Sequence, residues 1–212
     1  MKREQLSDDV TLYLGDCLEV MAEMEAGSVD SVITDPPYGI GEDGGACRTR
    51  SKPGISKHEK RNWDRSRPDK HVFDVMRTIS TNQVIFGGNY FADLLPPTMG
   101  WIYWRKLMGG DFSDGELAWT SYNKALKEFT KSPHGMDKVH PTQKPLALMK
   151  WVIENYTDEG DTVFDPFMGS GTTGVAAVQL GRKFIGIEID ETYYEIAKKR
   201  ISQAMLQMRL GI

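Results

Sequence analysis

Residues 161–190, DTVFDPFMGSGTTGVAAVQLGRKFIGIEID, decide the fold. DTVFDPF (161–167) reads as a strand, and Gly169, Gly171 and Gly174 follow in the spacing G-x-G-x-x-G. TTGVAAVQLG (172–181) is a helix closed by Gly181, and KFIGIEID (183–190) is a second strand. Glu188 stands near the end of that strand, nineteen positions after Gly169. A strand, a turn whose glycines let backbone approach a ligand, a helix and an acid for ribose hydroxyls together describe a nucleotide-binding unit. No G-K-[S/T] follows the glycines, which argues against a nucleoside triphosphate.

The acids around the turn select among adenosine ligands. Asp165 stands at the carboxyl end of the first strand, followed by Pro166 and Phe167. A carboxylate there repels a pyrophosphate and attracts a cation. S-adenosylmethionine carries an ammonium, a sulfonium, a ribose and an adenine but no phosphate. It suits Asp165, Glu188 and Asp16, the last being another acid at a strand end. Ser170, Thr172, Thr173, Ile189 and Asp190 flank the same turn and strand end. HPTQKP (140–145) leads into a helix, so His140, Thr142, Gln143 and Lys144 are placed to offer polar groups to the cofactor's carboxylate. For Asp16 and Asp190 the alternative reading is capping at a strand end.

Working outward, VTLYLGD (10–16), VDSVITD (29–35), QVIFGG (83–88), WIYWRK (101–106) and ELAWTSY (116–122) read as strands. CLEVMAEMEA (17–26), DKHVFDVMRTIS (69–80), PLALMKWVIENYT (145–157) and ETYYEIAKKRISQAMLQMRL (191–210) read as helices, with NYFADLL (89–95) a short one. Strands alternating with helices predict an α/β fold with a mostly parallel sheet. Residues 107–139 show few periodic apolar positions.

VITDPPYGI (32–40) is the second informative stretch. Each proline removes a backbone donor and fixes φ, so the strand stops and presents Asp35, Pro36, Pro37 and Tyr38 at its tip. A basic run follows. Between Ala46 and His71 nine Lys or Arg stand against three acids, a charge of +6 in a chain of net charge −4. Such a concentration on an acidic body is the footprint of a phosphate-contacting element, and a solvated loop is the alternative. Its candidate phosphate contacts are Arg48, Arg50, Lys52, Lys57, Lys60, Arg61, Arg65 and Arg67.

With 212 residues, 40% hydrophobic and 26% charged, the chain reads as one domain, 1–212. The polar start MKREQLSDDV lacks the apolar core of a signal peptide, and no run is long enough for a membrane span. Two cysteines and four histidines give neither a disulfide framework nor a metal-ligand spacing, which suits a reducing cytoplasm.

DPPY (35–38), DPFMGSGTT (165–173), IGIEID (185–190) and HPTQKP (140–145) resemble the motifs of amino-group DNA methyltransferases, in the circularly permuted order of the β class. The resemblance runs from LGDCLEVM to IEIDETYYEIAKKR and is similar to small phage- or prophage-encoded members. It implies a Rossmann-like methyltransferase fold with a seven-stranded, mostly parallel sheet and one antiparallel strand. It implies that Asp35 is the catalytic acid, that Tyr38 stacks on a base flipped out of double-stranded DNA, and that Asp165, Phe167, Gly169, Gly171 and Glu188 line the S-adenosylmethionine site. The DPPY spelling is similar to adenine-N6 members, with cytosine-N4 the nearest alternative. An RNA or protein amide acceptor, or a non-catalytic DNA-binding protein, is a more distant one. Dimers are frequent among such relatives, and the short spacing from DPPY to HPTQKP implies no separate target-recognition domain. The basic loop at about 41–70 would then grip DNA in the cytoplasm of a bacterial or phage-infected cell.

Overall fold

The computed structural model describes residues 1–41, 64, 66–108, 113–133 and 143–210. Readings placed on Arg48, Arg50, Lys52, Lys57, Lys60, Arg61, Arg65, His140 and Thr142 lie outside the described residues.

One sheet organises the chain. Its strands are β1 (Lys2–Ser7), β2 (Val10–Leu14), β3 (Val29–Thr34), β4 (Ser80–Phe86), β5 (Trp101–Arg105), β6 (Gly115–Thr120), β7 (Lys127–Thr130), β8 (Thr162–Asp165) and β9 (Lys183–Glu188). They lie in the order β1-β2-β9-β8-β3-β4-β6-β5-β7. The central pairings β2–β9, β9–β8, β8–β3 and β3–β4 are parallel, whereas β1 runs against β2, and β6 runs against both β4 and β5. Among the described residues the expected seven strands and single antiparallel strand thus become nine strands with two reversed ones. The two that sequence patterning missed, KREQLS and KEFT, are the sheet's edges. An edge strand has one neighbour and is commonly short and charged, so it carries little apolar alternation to read.

Helices α1 (Cys17–Met21), α2 (Lys70–Ile79), α3 (Leu146–Tyr156), α4 (Thr172–Gln179) and α5 (Glu191–Leu210) cover the two faces. On one face α3, α4 and α5 bury Val152, Ile153, Ala176, Ala197 and Ile201 against Leu12, Ile33 and Phe184. On the other, Val72, Phe73 and Met76 of α2 pack with Val20, Val32, Ile85 and Phe164. Adjacent residues Val32 and Ile33 enter opposite cores, which is why β3 reads as a continuous apolar run rather than an alternating one. The first helix is shorter than expected, ending at Met21.

From β3 the chain crosses through α2 to β4 on one side, and from β8 through α4 to β9 on the other. The neighbouring carboxyl ends of β3 and β8 therefore form a topological switch point, where open α/β sheets leave a crevice for ligands. Among the described residues, no helix is long and apolar enough to cross a membrane.

Candidate active site

Both informative stretches meet at this crevice. Asp35 follows the last residue of β3, and Asp165 ends β8 beside it. The strand-stopping prolines leave the Asp35 side chain 24% exposed while Pro36 is buried. The Tyr38 hydroxyl donates to Asp35 Oδ1 at 2.5 Å, and Lys144 Nζ donates to Asp35 Oδ2 at 2.6 Å. Both carboxylate oxygens are therefore held, and the carboxylate plane is fixed.

The Tyr38 ring is held as firmly as its hydroxyl. It stacks on Tyr90 with centroids 4.7 Å apart and planes 15° off parallel, and it meets Phe91 edge-on. Gly87 makes room for it: φ is +68°, and a Cβ there would lie 2.1 Å from Tyr38 Cε1. Burial and the neighbouring Asp35 charge push the Tyr38 phenol above its ordinary range, so it stays protonated and donates. Tyr90 remains 38% exposed, whereas Trp104 is buried with its indole N–H on the Lys131 carbonyl.

Lys144, expected to serve the cofactor's carboxylate, directs its ammonium at Asp35, at Tyr38 Oη (3.3 Å) and at Glu116 Oε2 (3.0 Å). Glu116 also pairs with Lys106 through its other oxygen. Burial alone would neutralise Lys144, but the two carboxylates hold its ammonium above the ordinary lysine range. Burial likewise opposes ionisation of Glu116, yet Lys144 and Lys106 hold it down at about 2. Burial raises Asp35, the pull of Lys144 opposes that rise, and Glu116 adds to it. No motif marks Glu116. Because β6 runs antiparallel, its beginning, not its end, lies at the carboxyl edge of the parallel strands, and a search of strand ends passes over it.

Asp165, expected to be a counter-charge for an ammonium, is 3% exposed and has both oxygens hydrogen-bonded within the protein. Oδ1 accepts from Thr34 Oγ1 (2.7 Å) and the Phe167 N–H (3.1 Å), and Oδ2 accepts from Thr173 Oγ1 (2.7 Å). It pins β3, the turn and α4 together, and burial pushes its carboxyl up to about 6.

The glycine turn lies next to this pin. Gly169 and Gly171 have φ of +51° and +77°, and a Cβ on Gly171 would stand 2.8 Å from Ala197 Cβ of α5. Ser170, Thr172 and Thr173 are buried, as is Pro166, and Phe167 packs against the α2-side core. Arg200 of α5 donates from one nitrogen to the Ser170 carbonyl, Ser170 Oγ and Thr172 Oγ1, bracing the turn from behind. Glu188 accepts the N–H groups of Gly169 (2.9 Å), Ile189 (2.9 Å) and Asp190 (2.8 Å), and burial pushes it up to about 7. Beside it Ile189 is 68% exposed, an apolar surface at the mouth of the turn. Asp16 and Asp190 take the capping alternative: Asp16 accepts the Leu18 N–H, and Asp190 accepts the Tyr193 N–H. Gln143 is half-buried just before Lys144.

Arg67, expected on a DNA phosphate, is committed within the protein. It grips Asp93 with both terminal nitrogens (2.7 and 2.6 Å) and donates to the Tyr90 carbonyl at 2.8 Å. Buried Asp64 accepts the Gly39 N–H at 2.7 Å. The end of the basic stretch is thus fastened to the turn that carries Tyr38 and to the main chain of Tyr90, on whose ring Tyr38 stacks. Among the described residues no His, Cys, Asp and Glu group could hold a metal ion.

The donor set suits an adenosine ligand with hydroxyls. Glu188 Oε2 accepts one backbone N–H and keeps acceptor capacity, and Ile189 offers an exposed apolar contact.

The model of the DNA methylase family (N6_N4_Mtase) matches residues 88–199, more than half of the chain. The Type II methyltransferase M2.MboI of Moraxella bovis is 26% identical, over 92% of this chain and 89% of its own length. M2.DpnII of Streptococcus pneumoniae is 27% identical, over 90% of this chain and 88% of its own. Among solved structures, the M1.HpyAVI–SAM complex is similar at a TM-score of 0.63 and 28% identity, over 91% of this chain and 98% of that one. The cytosine-N4-specific PvuII DNA methyltransferase shares the fold at a TM-score of 0.64 and 17% identity, over 97% of this chain and 94% of that one.

Proposed function

The chain belongs to the DNA methylase family, a group of S-adenosylmethionine-dependent amino-methyltransferases of DNA, and from that premise we propose that it methylates the N6 amino group of adenine. The observation that carries the reading is Asp35 in DPPY: a carboxylate with both oxygens oriented, one strand away from the glycine turn.

An exocyclic amine is a poor nucleophile because its lone pair is delocalised into the ring. Asp35 and the Pro36 carbonyl accept its two N–H bonds, which favours a tetrahedral nitrogen whose lone pair points toward the glycine turn. The proline ring fixes that carbonyl's direction, so little orientation entropy is lost on binding. S-adenosylmethionine, when bound, supplies a methyl group on a sulfonium. Transfer of that methyl group would make the amine acidic, and Asp35 would take one of its protons and pass it on to water. Glu188, the main chain of Gly169 to Gly171, and Ile189 would hold the adenosine part. Such a nitrogen is out of reach inside a duplex, so the base flips out and stacks on the Tyr38–Tyr90 pair.

The test incubates pure protein with S-adenosylmethionine and unmethylated DNA and identifies the modified nucleosides by mass spectrometry. N6-methyladenine is expected; N4-methylcytosine alone would overturn the adenine assignment.

A further inference from the structure

Around Asp35 the described residues form a chain of alternating charge: Lys106, Glu116, Lys144, Asp35. The Lys144 ammonium has three hydrogens and three oxygen neighbours, on Asp35, Glu116 and Tyr38. Its side chain is 7% exposed, and those of Glu116 and Lys106 are 22% and 17% exposed, so solvent screens these charges only partly. Each acid has one of its oxygens on the same cation.

We propose that Glu116 is a positioning residue that shares the Lys144 ammonium with Asp35 and so sets how readily Asp35 accepts a proton from the target amine. Without a second carboxylate, Lys144 would devote its full charge to Asp35, making that carboxylate a weaker acceptor. With Glu116 in place, Lys144 still fixes one Asp35 oxygen but is drawn off it. Lys106 limits the effect from the other side by holding Glu116. Among the described residues, the remaining groups facing Asp35 are the Tyr38 phenol, with Tyr90 behind it, and Asp165 on β8. Glu116 makes Asp35 harder to ionise, Lys144 and Tyr38 make it easier, and Asp35 in turn makes Asp165 harder to ionise.

The inference rests on Asp35 being the acceptor of the amine's proton. It is tested by the rate of DNA methylation across pH for wild type, Glu116→Gln, Glu116→Asp and Lys106→Met. Glu116→Gln should lower kcat about tenfold, a modest share of a general-base contribution, with KM for S-adenosylmethionine changed less than twofold. Its acidic limb should move to lower pH, because Asp35 loses the neighbour that opposes its ionisation. Lys106→Met should move that limb to higher pH, and Glu116→Asp should bring it back toward wild type. Wild-type kcat and limb in Glu116→Gln, a change in KM alone, or limbs moving the same way in both Gln and Met variants would overturn the proposal. If Glu116→Gln does not fold, the direction of the Lys106→Met limb decides. The adenine reading fails separately, through the identity of the wild-type product, since each variant is compared with wild type on whichever amino group is methylated.

Discussion

Two Asp-Pro steps end adjacent parallel strands, Asp35-Pro36 after β3 and Asp165-Pro166 after β8. At β8 the carboxylate is buried and takes three neutral donors, two hydroxyls and a backbone N–H. At β3 it is partly open and takes a phenol and an ammonium that is itself shared. Three neutral donors occupy Asp165 and make it a fastening. A charged, shared partner leaves Asp35 with unused acceptor sites and an ionisation set by its neighbours. The same dipeptide thus serves architecture on one strand and chemistry on the next, and the difference lies in the partners.

The contrast predicts opposite outcomes for the same substitution. Asp35→Asn should lower the methylation rate by about 10²–10⁴, the usual worth of a general base, with the melting temperature near that of wild type. Asp165→Asn should lower stability, because an amide turns a donor toward Thr34 or Thr173 and leaves a buried hydroxyl unpaired, at about 1–3 kcal/mol. Chemical denaturation beside activity measures both; a stable but inactive Asp165→Asn would dissolve the distinction.

A smaller effect is expected at Gly87. Alanine there must displace the Tyr38 ring and adopt a φ of +68°, which perturbs the Asp35 side of the crevice alone. Methylation should fall about tenfold while affinity for S-adenosylmethionine, measured by calorimetry, stays within about twofold.

The smallest effect is in the pH dependence of stability. Asp165 and Glu188 are raised by burial from their ordinary 3.8 and 4.5 to about 6 and about 7. A raised group binds a proton in the folded chain at a pH where the unfolded chain has released it. Their stabilising contribution is therefore complete below about pH 4 and is lost as pH rises through 6 and 7. Melting temperature measured over that window should fall less steeply in Glu188→Gln than in wild type.

Much of this was legible in the sequence because it is local. The β8-turn-α4-β9 unit, the strand stop at DPPY and the acid at the end of β9 each occupy a few consecutive residues whose backbone chemistry fixes their geometry. What escaped was what the fold assembles from afar. Lys144 lies 109 positions from Asp35 and reaches it only through the placement of α3. Glu116 enters from a reversed strand, and Arg67 pairs with Asp93, 26 positions away. Charged residues carry no mark of their partner, so spacing identified that they mattered without saying what they touch.

The decisive measurement on the Asp35 side is a nucleoside digest of DNA treated with wild type and with Asp35→Asn at equal occupancy by S-adenosylmethionine. N6-methyladenine should appear with wild type and be lacking with the variant. N4-methylcytosine alone, or equal N6-methyladenine from both proteins, would contradict the role given to Asp35 and its target.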